Sequence, residues 1–134
     1  MDAILLSSGH PIRSSAVARA VLRDAVRYAQ ERLPFGKPIG SSQLVQDLLA
    51  RMLGHVTACT CLVARTAQLQ AEGKLGDHHA ALAKAFTTAR MRETVAWARE
   101  IFGGNGIVLD YDVARFFADG EALFRTKART RCRT

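Results

Sequence analysis

The sequence predicts an all-α protein built as an antiparallel four-helix bundle, and three observations predict it. Apolar residues recur by threes and fours over long stretches. Period-two alternation, the mark of a half-buried strand, is hard to find in a chain rich in alanine and leucine. Glycine and proline cluster at residues 34–40, 73–76 and 103–106, cutting the periodic stretches apart. Connections this short set successive helices antiparallel. A length of 134 residues fits one domain with a real core, and not two. The expected layout is an irregular segment over 1–13, the bundle over 14–124, and a basic, disordered tail over 125–134.

Residues 1–13 show no clear period; Ser7, Ser8, Gly9 and Pro11 read as irregular. From 14 to 32, Val17, Val21, Ala25 and Tyr28 recur at helical spacing, with Leu22, Val26 and Ala29 widening the stripe. Ser14 or Ser15 could cap this helix. Residues 31–43 then read Glu-Arg-Leu-Pro-Phe-Gly-Lys-Pro-Ile-Gly-Ser-Ser-Gln. Pro34 and Pro38 each disfavour helix at the residue before them. Two readings stay open at this point. One is a connection whose Phe35 and Ile39 plug the end of the bundle. The other is a ligand-facing corner, with Arg32 for an anion and Gln43 for a polar edge.

The second helix is expected over 41–71, where Leu44, Val45, Leu48, Leu49, Met52, Leu53, Val56, Cys59, Val63 and Ala67 advance by threes and fours. This is a buried face broad enough to meet two neighbours. Gly73 and Gly76 end it, and Asp77 is a good cap for a third helix running to about 102. That helix carries Leu82, Phe86, Ala89, Val95, Trp97 and Ile101, and its many alanines suit close helix approach. Gly103-Gly104-Asn105-Gly106 leaves a bare backbone corner that can hold a phosphate or admit a flat ligand. Ordinary turn chemistry accounts for such a run at least as often. A fourth helix is expected over 110–124, with Val113, Phe116, Phe117, Ala122 and Leu123 apolar.

The net charge of +7 is unevenly placed. Arg125, Lys127, Arg129, Arg131 and Arg133 supply five of the seven charges, leaving residues 1–124 at only +2. A basic tail binds polyanions nonspecifically, so nucleic acid is not the expected partner. Three cysteines (Cys59, Cys61, Cys132) without paired spacing argue against a disulfide framework. They form no ligand pattern with His10, His55, His78 and His79, so no metal is expected. No run approaches the roughly 20 apolar residues of a membrane helix, and the first residues do not form a secretory signal. A cytoplasmic location is the expectation.

Two motifs carry a family resemblance. Tyr28-Ala29-Gln30-Glu31-Arg32-Leu33-Pro34-Phe35-Gly36-Lys37-Pro38-Ile39, with Gln43, Val45, Gln46 and Leu49-Ala50-Arg51-Met52 beyond it, resembles the acyl-CoA dehydrogenase signature. So does Ile101-Phe102-Gly103-Gly104-Asn105-Gly106-Ile107, followed by Tyr111, Val113, Arg115 and Glu121-Ala122. The Gly-Gly-Asn-Gly-Ile run points to the glutaryl-CoA dehydrogenase-like branch. The resemblance covers residues 19–124, the family's C-terminal helical domain. It implies an FAD site between subunits of a homo-oligomer, with an acyl-CoA as substrate. Arg32 would pair with the FAD pyrophosphate, a role that suits a guanidinium fork. Phe35 would pack near the cofactor and Gln43 would hydrogen-bond it. Glu100 through Gly104, with Gly103 and Gly104 at the turn, would present backbone amides to a neighbouring subunit's FAD. Pro34 and Glu100 depart from the family pattern, and a carboxylate beside a pyrophosphate needs a cation to screen it.

The family's catalytic glutamate is missing. In most members it stands in Tyr-Glu-Gly-Thr just after the fourth helix and abstracts the α-proton of the thioester. Here Arg125-Thr126-Lys127-Ala128-Arg129 occupies that place, so no catalytic residue is assigned near Arg125–Ala128. Glu121 falls before the motif, and residues 1–30 hold no glutamate. The replacement has a readable origin. Written as CGT-ACG-AAG-GCA-CGN, the run shifted by two nucleotides gives TAC-GAA-GGC-ACG, which encodes Tyr-Glu-Gly-Thr. A frameshift that scrambled the motif and truncated the chain is therefore the expectation. Without the base and the flavin-bearing β-domain, dehydrogenase activity of this chain alone is expected to be negligible. The alternative is a non-catalytic helical interaction module, or a degenerate remnant that pairs with a paralogue.

Overall fold

A computed structural model describes residues 2–131, with side chains from 10 to 125. Four helices form the bundle: α1 (Asp2–Glu31), α2 (Gln43–Ala71), α3 (Asp77–Phe102) and α4 (Asp112–Arg131). Short 3-10 turns lie at Ile39–Ser41 and Gly103–Ile107, and no strand occurs among the described residues. The predicted helical architecture is the one observed. α3 is the central helix, packed against α1, α2 and α4. Ala18, Val21 and Ala25 of α1 meet Met91, Val95 and Ala98 of α3 in the core, with Met52 and Val56 of α2 and Val113 of α4 closing it. The small alanines let the α1 and α3 backbones come close. α3 also buries Thr87, Thr88 and Thr94, whose hydroxyls donate to the carbonyls of Ala83, Lys84 and Arg90 at 2.8, 2.7 and 2.8 Å. Each hydroxyl is satisfied within its own helix, so no partner helix has to supply an acceptor.

Both ends of the chain differ from expectation. α1 begins at Asp2, so residues 2–13 are helical rather than irregular. Pro11 sits inside this helix and is buried, beside Val63, Thr66 and Ala67 of α2. That packing offsets the backbone hydrogen bond proline cannot donate, which the local propensity of Ser7, Ser8 and Gly9 does not reveal. α4 continues to Arg131, in place of a disordered tail starting at 125. Arginine, lysine and alanine are good helix formers, so this extension needs no apolar stripe. Residues 132–134, including Cys132, lie outside the described residues. At α3 the cap is Gly76, not Asp77, which is the first helical residue. The Gly76 amide donates to His79 Nδ1 at 3.1 Å. Asp77 in the first turn still faces the positive end of the helix dipole.

α2 buries a narrower face than its sequence suggests. Met52, Val56, Cys59 and Thr66 are buried, whereas Leu44 is 80% exposed and Leu53 56% exposed. By length and composition α2 is also the one described helix apolar enough to cross a membrane, although no unbroken apolar run marks it in the sequence. Its charges sit toward its ends, at Asp47, Arg51 and Arg65, leaving a largely uncharged middle. α2 nevertheless packs on α1 and α3 as a bundle helix. Cys59 is buried and Cys61 exposed, the opposed directions that spacing of two requires on a helix.

Candidate functional site

Two corners at one end of the bundle form the site. The first follows α1. The Arg32 amide donates to the Tyr28 carbonyl at 2.9 Å, and the Ile39 amide donates to the Arg32 carbonyl at 3.0 Å. These bonds pinch the neck of an excursion over residues 32–39. Gly36 turns it with φ of 76°, and residues 31–38 are all exposed. Phe35 is 96% exposed, so it does not plug the bundle; Ile39 alone of that pair packs against the core. Ile39 packs there because it sits at the pinched neck, next to the core, whereas Phe35 stands at the far tip of the excursion. Gln43 opens α2 with its side chain exposed, while Gln46 Nε2 donates to the Gly40 carbonyl at 3.0 Å.

The second corner ends α3. Gly103 adopts φ 57° and ψ −131°, a conformation side chains resist, and its amide reaches the Arg99 and Glu100 carbonyls. Gly106 is buried so close to α3 that an added Cβ would lie 2.8 Å from the Arg99 carbonyl oxygen. Asn105 Nδ2 donates to Tyr28 Oη at 2.9 Å, joining this corner to α1. The Tyr28 ring stacks on Phe102 at 4.0 Å and 16°. Tyr111 stands edge-on to both rings, at 5.6 and 5.4 Å.

Arg32 and Pro34 from the first corner and Gly104 and Asn105 from the second face one recess of about 390 Å³, with Tyr28 and Phe102 between them. The structure thus brings Arg32 and Gly104 together. Phe35, Gln43, Glu100 and Gly103 are exposed around it and do not line it. Arg32 makes no ion pair among the described residues, and it is the one charged residue among those lining the recess. An unpaired guanidinium beside a glycine that presents no side chain fits a phosphate group. Tyr28 and Phe102 also line a second recess, of about 250 Å³, that carries Asp24, Glu31 and Asp110 against Arg27. Its acidic lining repels the same anion. Tyr28 and Asn105 are site residues that sequence reasoning did not single out. Tyr28 reads as one more apolar-stripe position and Asn105 as turn chemistry.

The place expected for a catalytic group is elsewhere. Arg125 and Glu121 line a groove of about 550 Å³ between α3 and α4, with Arg92 and Phe117. Glu121 accepts from Arg92 Nε. The Ala128 side chain lies outside the described residues. Groups with shifted pKa stand away from the recess. Burial, reinforced by Arg90, lowers His55 below its ordinary 6.5, although Glu93 at 3.6 Å opposes the shift. Burial likewise lowers His10, with Lys84 and Arg13 adding to it, and raises the Cys59 thiol. No group of three metal-ligating side chains is gathered among the described residues.

Residues 9–123 match the family model described as acyl-CoA dehydrogenase, C-terminal domain. A glutaryl-CoA dehydrogenase of Desulfococcus multivorans is 35% identical over 109 residues, which is 81% of this chain and 28% of that protein. A benzylmalonyl-CoA dehydrogenase of Aromatoleum aromaticum is 40% identical over 103 residues, 77% of this chain and 27% of that one. The structure of butyryl-CoA dehydrogenase from Megasphaera elsdenii superposes with a TM-score of 0.84 at 33% identity, covering 87% of this chain and 30% of that chain. The chain spans less than a third of the length of these relatives.

Proposed function

The chain belongs to the acyl-CoA dehydrogenase family, as its C-terminal domain, and from that premise we propose that it carries part of an FAD site. The reaction served is oxidoreduction at the CH–CH group of an acyl-CoA thioester. The observation that carries this reading is Arg32 and Gly104 facing one recess. Arg32 offers its guanidinium fork to the FAD pyrophosphate. In this reading Phe35, exposed to solvent, packs on the cofactor, and the exposed Gln43 hydrogen-bonds it. Gly104, on the same recess as Arg32, faces the same FAD, one shared with a neighbouring subunit. Glu100 lies within α3 and the Gly103 amide is already bonded to the Arg99 and Glu100 carbonyls, so neither offers the cofactor a free amide. FAD, when bound, supplies the hydride acceptor. A recess of about 390 Å³ takes only part of a dinucleotide, so the remaining contacts come from other segments or subunits.

Acting alone, these 134 residues supply no general base, because Arg125-Thr126-Lys127-Ala128 stands where the family motif would be. A shifted reading frame accounts for the replacement, and the coding DNA tests it directly: other codons at 125–129 sink that origin. The chain works as a subunit of a homo-oligomer or beside a paralogue, in the cytoplasm. The exposed apolar residues Leu44, Leu53 and Leu82 favour a second reading, a helical interaction module without catalysis of its own.

Size-exclusion chromatography of the purified chain, with and without FAD, separates these. Yellow colour eluting with an oligomer supports the cofactor site. A colourless monomer or aggregate rejects it and leaves the remnant. Assay with a short acyl-CoA and an artificial electron acceptor should show no turnover, and measurable reduction would overturn the proposed inactivity.

A further inference from the structure

We propose that Tyr28 and Asn105 are positioning residues whose mutual hydrogen bond fixes the spacing between Arg32 and the glycine turn, and with it the grip on the FAD pyrophosphate. This rests on the FAD reading given above. The bond spans 77 residues of sequence at 2.9 Å and is half-buried, sheltered from competing water. It joins the second corner to the last turn of α1, from which the first corner departs. Tyr28 also accepts the Arg32 amide through its carbonyl at 2.9 Å, so the ring and the guanidinium-bearing residue are set by one residue. Phe102, stacked on the Tyr28 ring at 4.0 Å, is the residue immediately before Gly103. Tyr111 closes the ring pair edge-on. The hydroxyl is therefore delivered to a fixed point, and Asn105 meets it there. A tyrosine hydroxyl both donates and accepts, so the pair bonds in either orientation of the amide.

Arg32 lies on an exposed excursion and Gly104 on an exposed turn, so neither of these two residues fixes the position of the other. Two-point recognition of a pyrophosphate depends on separation, because each point is of use only when both reach the anion. The Tyr28–Asn105 link supplies that separation from the wall of the recess, which both residues line.

The test uses Tyr28→Phe, which keeps the ring stack, Asn105→Ala, and the double variant. Hydrogen exchange is followed at the Arg32, Asn105 and Gly106 amides and, for comparison, at Val95 and Ala98 in the α3 core. FAD binding is titrated by flavin fluorescence. Each single variant should speed exchange at the corner amides about fivefold and weaken FAD binding by a similar factor, with core exchange unchanged. The double variant should be no worse than the stronger single one. Unchanged corner exchange in Tyr28→Phe, additive single effects, or an equal rise at corners and core would each overturn the proposal. A native chain that binds no FAD rejects the function proposed above and the grip on its pyrophosphate. The exchange rates and the double-variant comparison still decide whether the link holds the corners.

Discussion

The two corners both end a helix and use glycine to turn, yet they behave oppositely. Residues 31–38 are exposed throughout, held only at a pinched neck, with Phe35 pointing into solvent. The Gly103–Ile107 turn is pulled onto the bundle: Gly106 is buried against Arg99, and Asn105 is bonded to Tyr28. The first corner keeps side chains that the fold does not use, and the second keeps small residues that the fold requires. On the first corner an unpaired cation lines the recess and an aromatic ring stands in solvent. The glycine run serves packing at Gly106 and leaves Gly104 open on the recess.

Substitutions break this contrast in order of size. Gly106→Ala should cost about 2–3 kcal/mol, since its Cβ meets backbone rather than a movable side chain; the midpoint of urea unfolding measures it. Gly104→Ala, where an added Cβ meets nothing within 4 Å, should stay within about 0.5 kcal/mol in the same experiment. A similar loss at both glycines would end the claim that packing singles out Gly106. Arg32→Ala should leave urea unfolding within about 0.5 kcal/mol and weaken FAD binding by tenfold or more, the scale of a lost charge-assisted hydrogen bond. Phe35→Ser should leave stability unchanged within about 0.5 kcal/mol, because a ring 96% exposed has little burial to lose. A large loss there would restore the plug.

Acid tests whether both corners rest on one bundle. His55 is depressed in the folded chain, so the unfolded chain takes up the proton first as the pH falls. Its stabilisation is fully present above the ordinary value of 6.5 and is lost as the pH drops from there through the lowered folded value. Thermal midpoints should therefore fall between pH 8 and pH 5, by less in His55→Phe, which retains an aromatic ring against Trp97. Exchange at both corners should rise together, unlike the local effect of a corner substitution.

Much of the interior was legible. The stripe through Val17, Val21, Ala25 and Tyr28 is buried or partly buried on α1, and the start of α3 falls at Asp77. Arg32 and Gly104 were candidates from their motifs and do share a recess. Helix ends were less legible. Pro11 and its serine and glycine neighbours argue locally against helix, and contact with α2 overrides them. Leu44 and Leu53 fit the apolar period of α2 as well as Met52 does, yet only Met52 is buried. Period ranks faces of a helix, and the available neighbours decide how much of a face is covered.

The sequence by itself determined the helical class, the breaks between helices, and the two motifs that carry the family. Those follow from local rules, since spacing, proline and glycine act within a few residues. Tertiary structure alone decided that Phe35 faces solvent, that Gly106 is fixed by the Arg99 carbonyl, and that Tyr28 reaches Asn105. The Tyr28–Asn105 bond joins residues 77 apart in the chain, at a distance that the packing of α1 on α3 sets. Gly106, by contrast, closes back on Arg99 through the turn ending α3, and Phe35 stands on a tip left exposed.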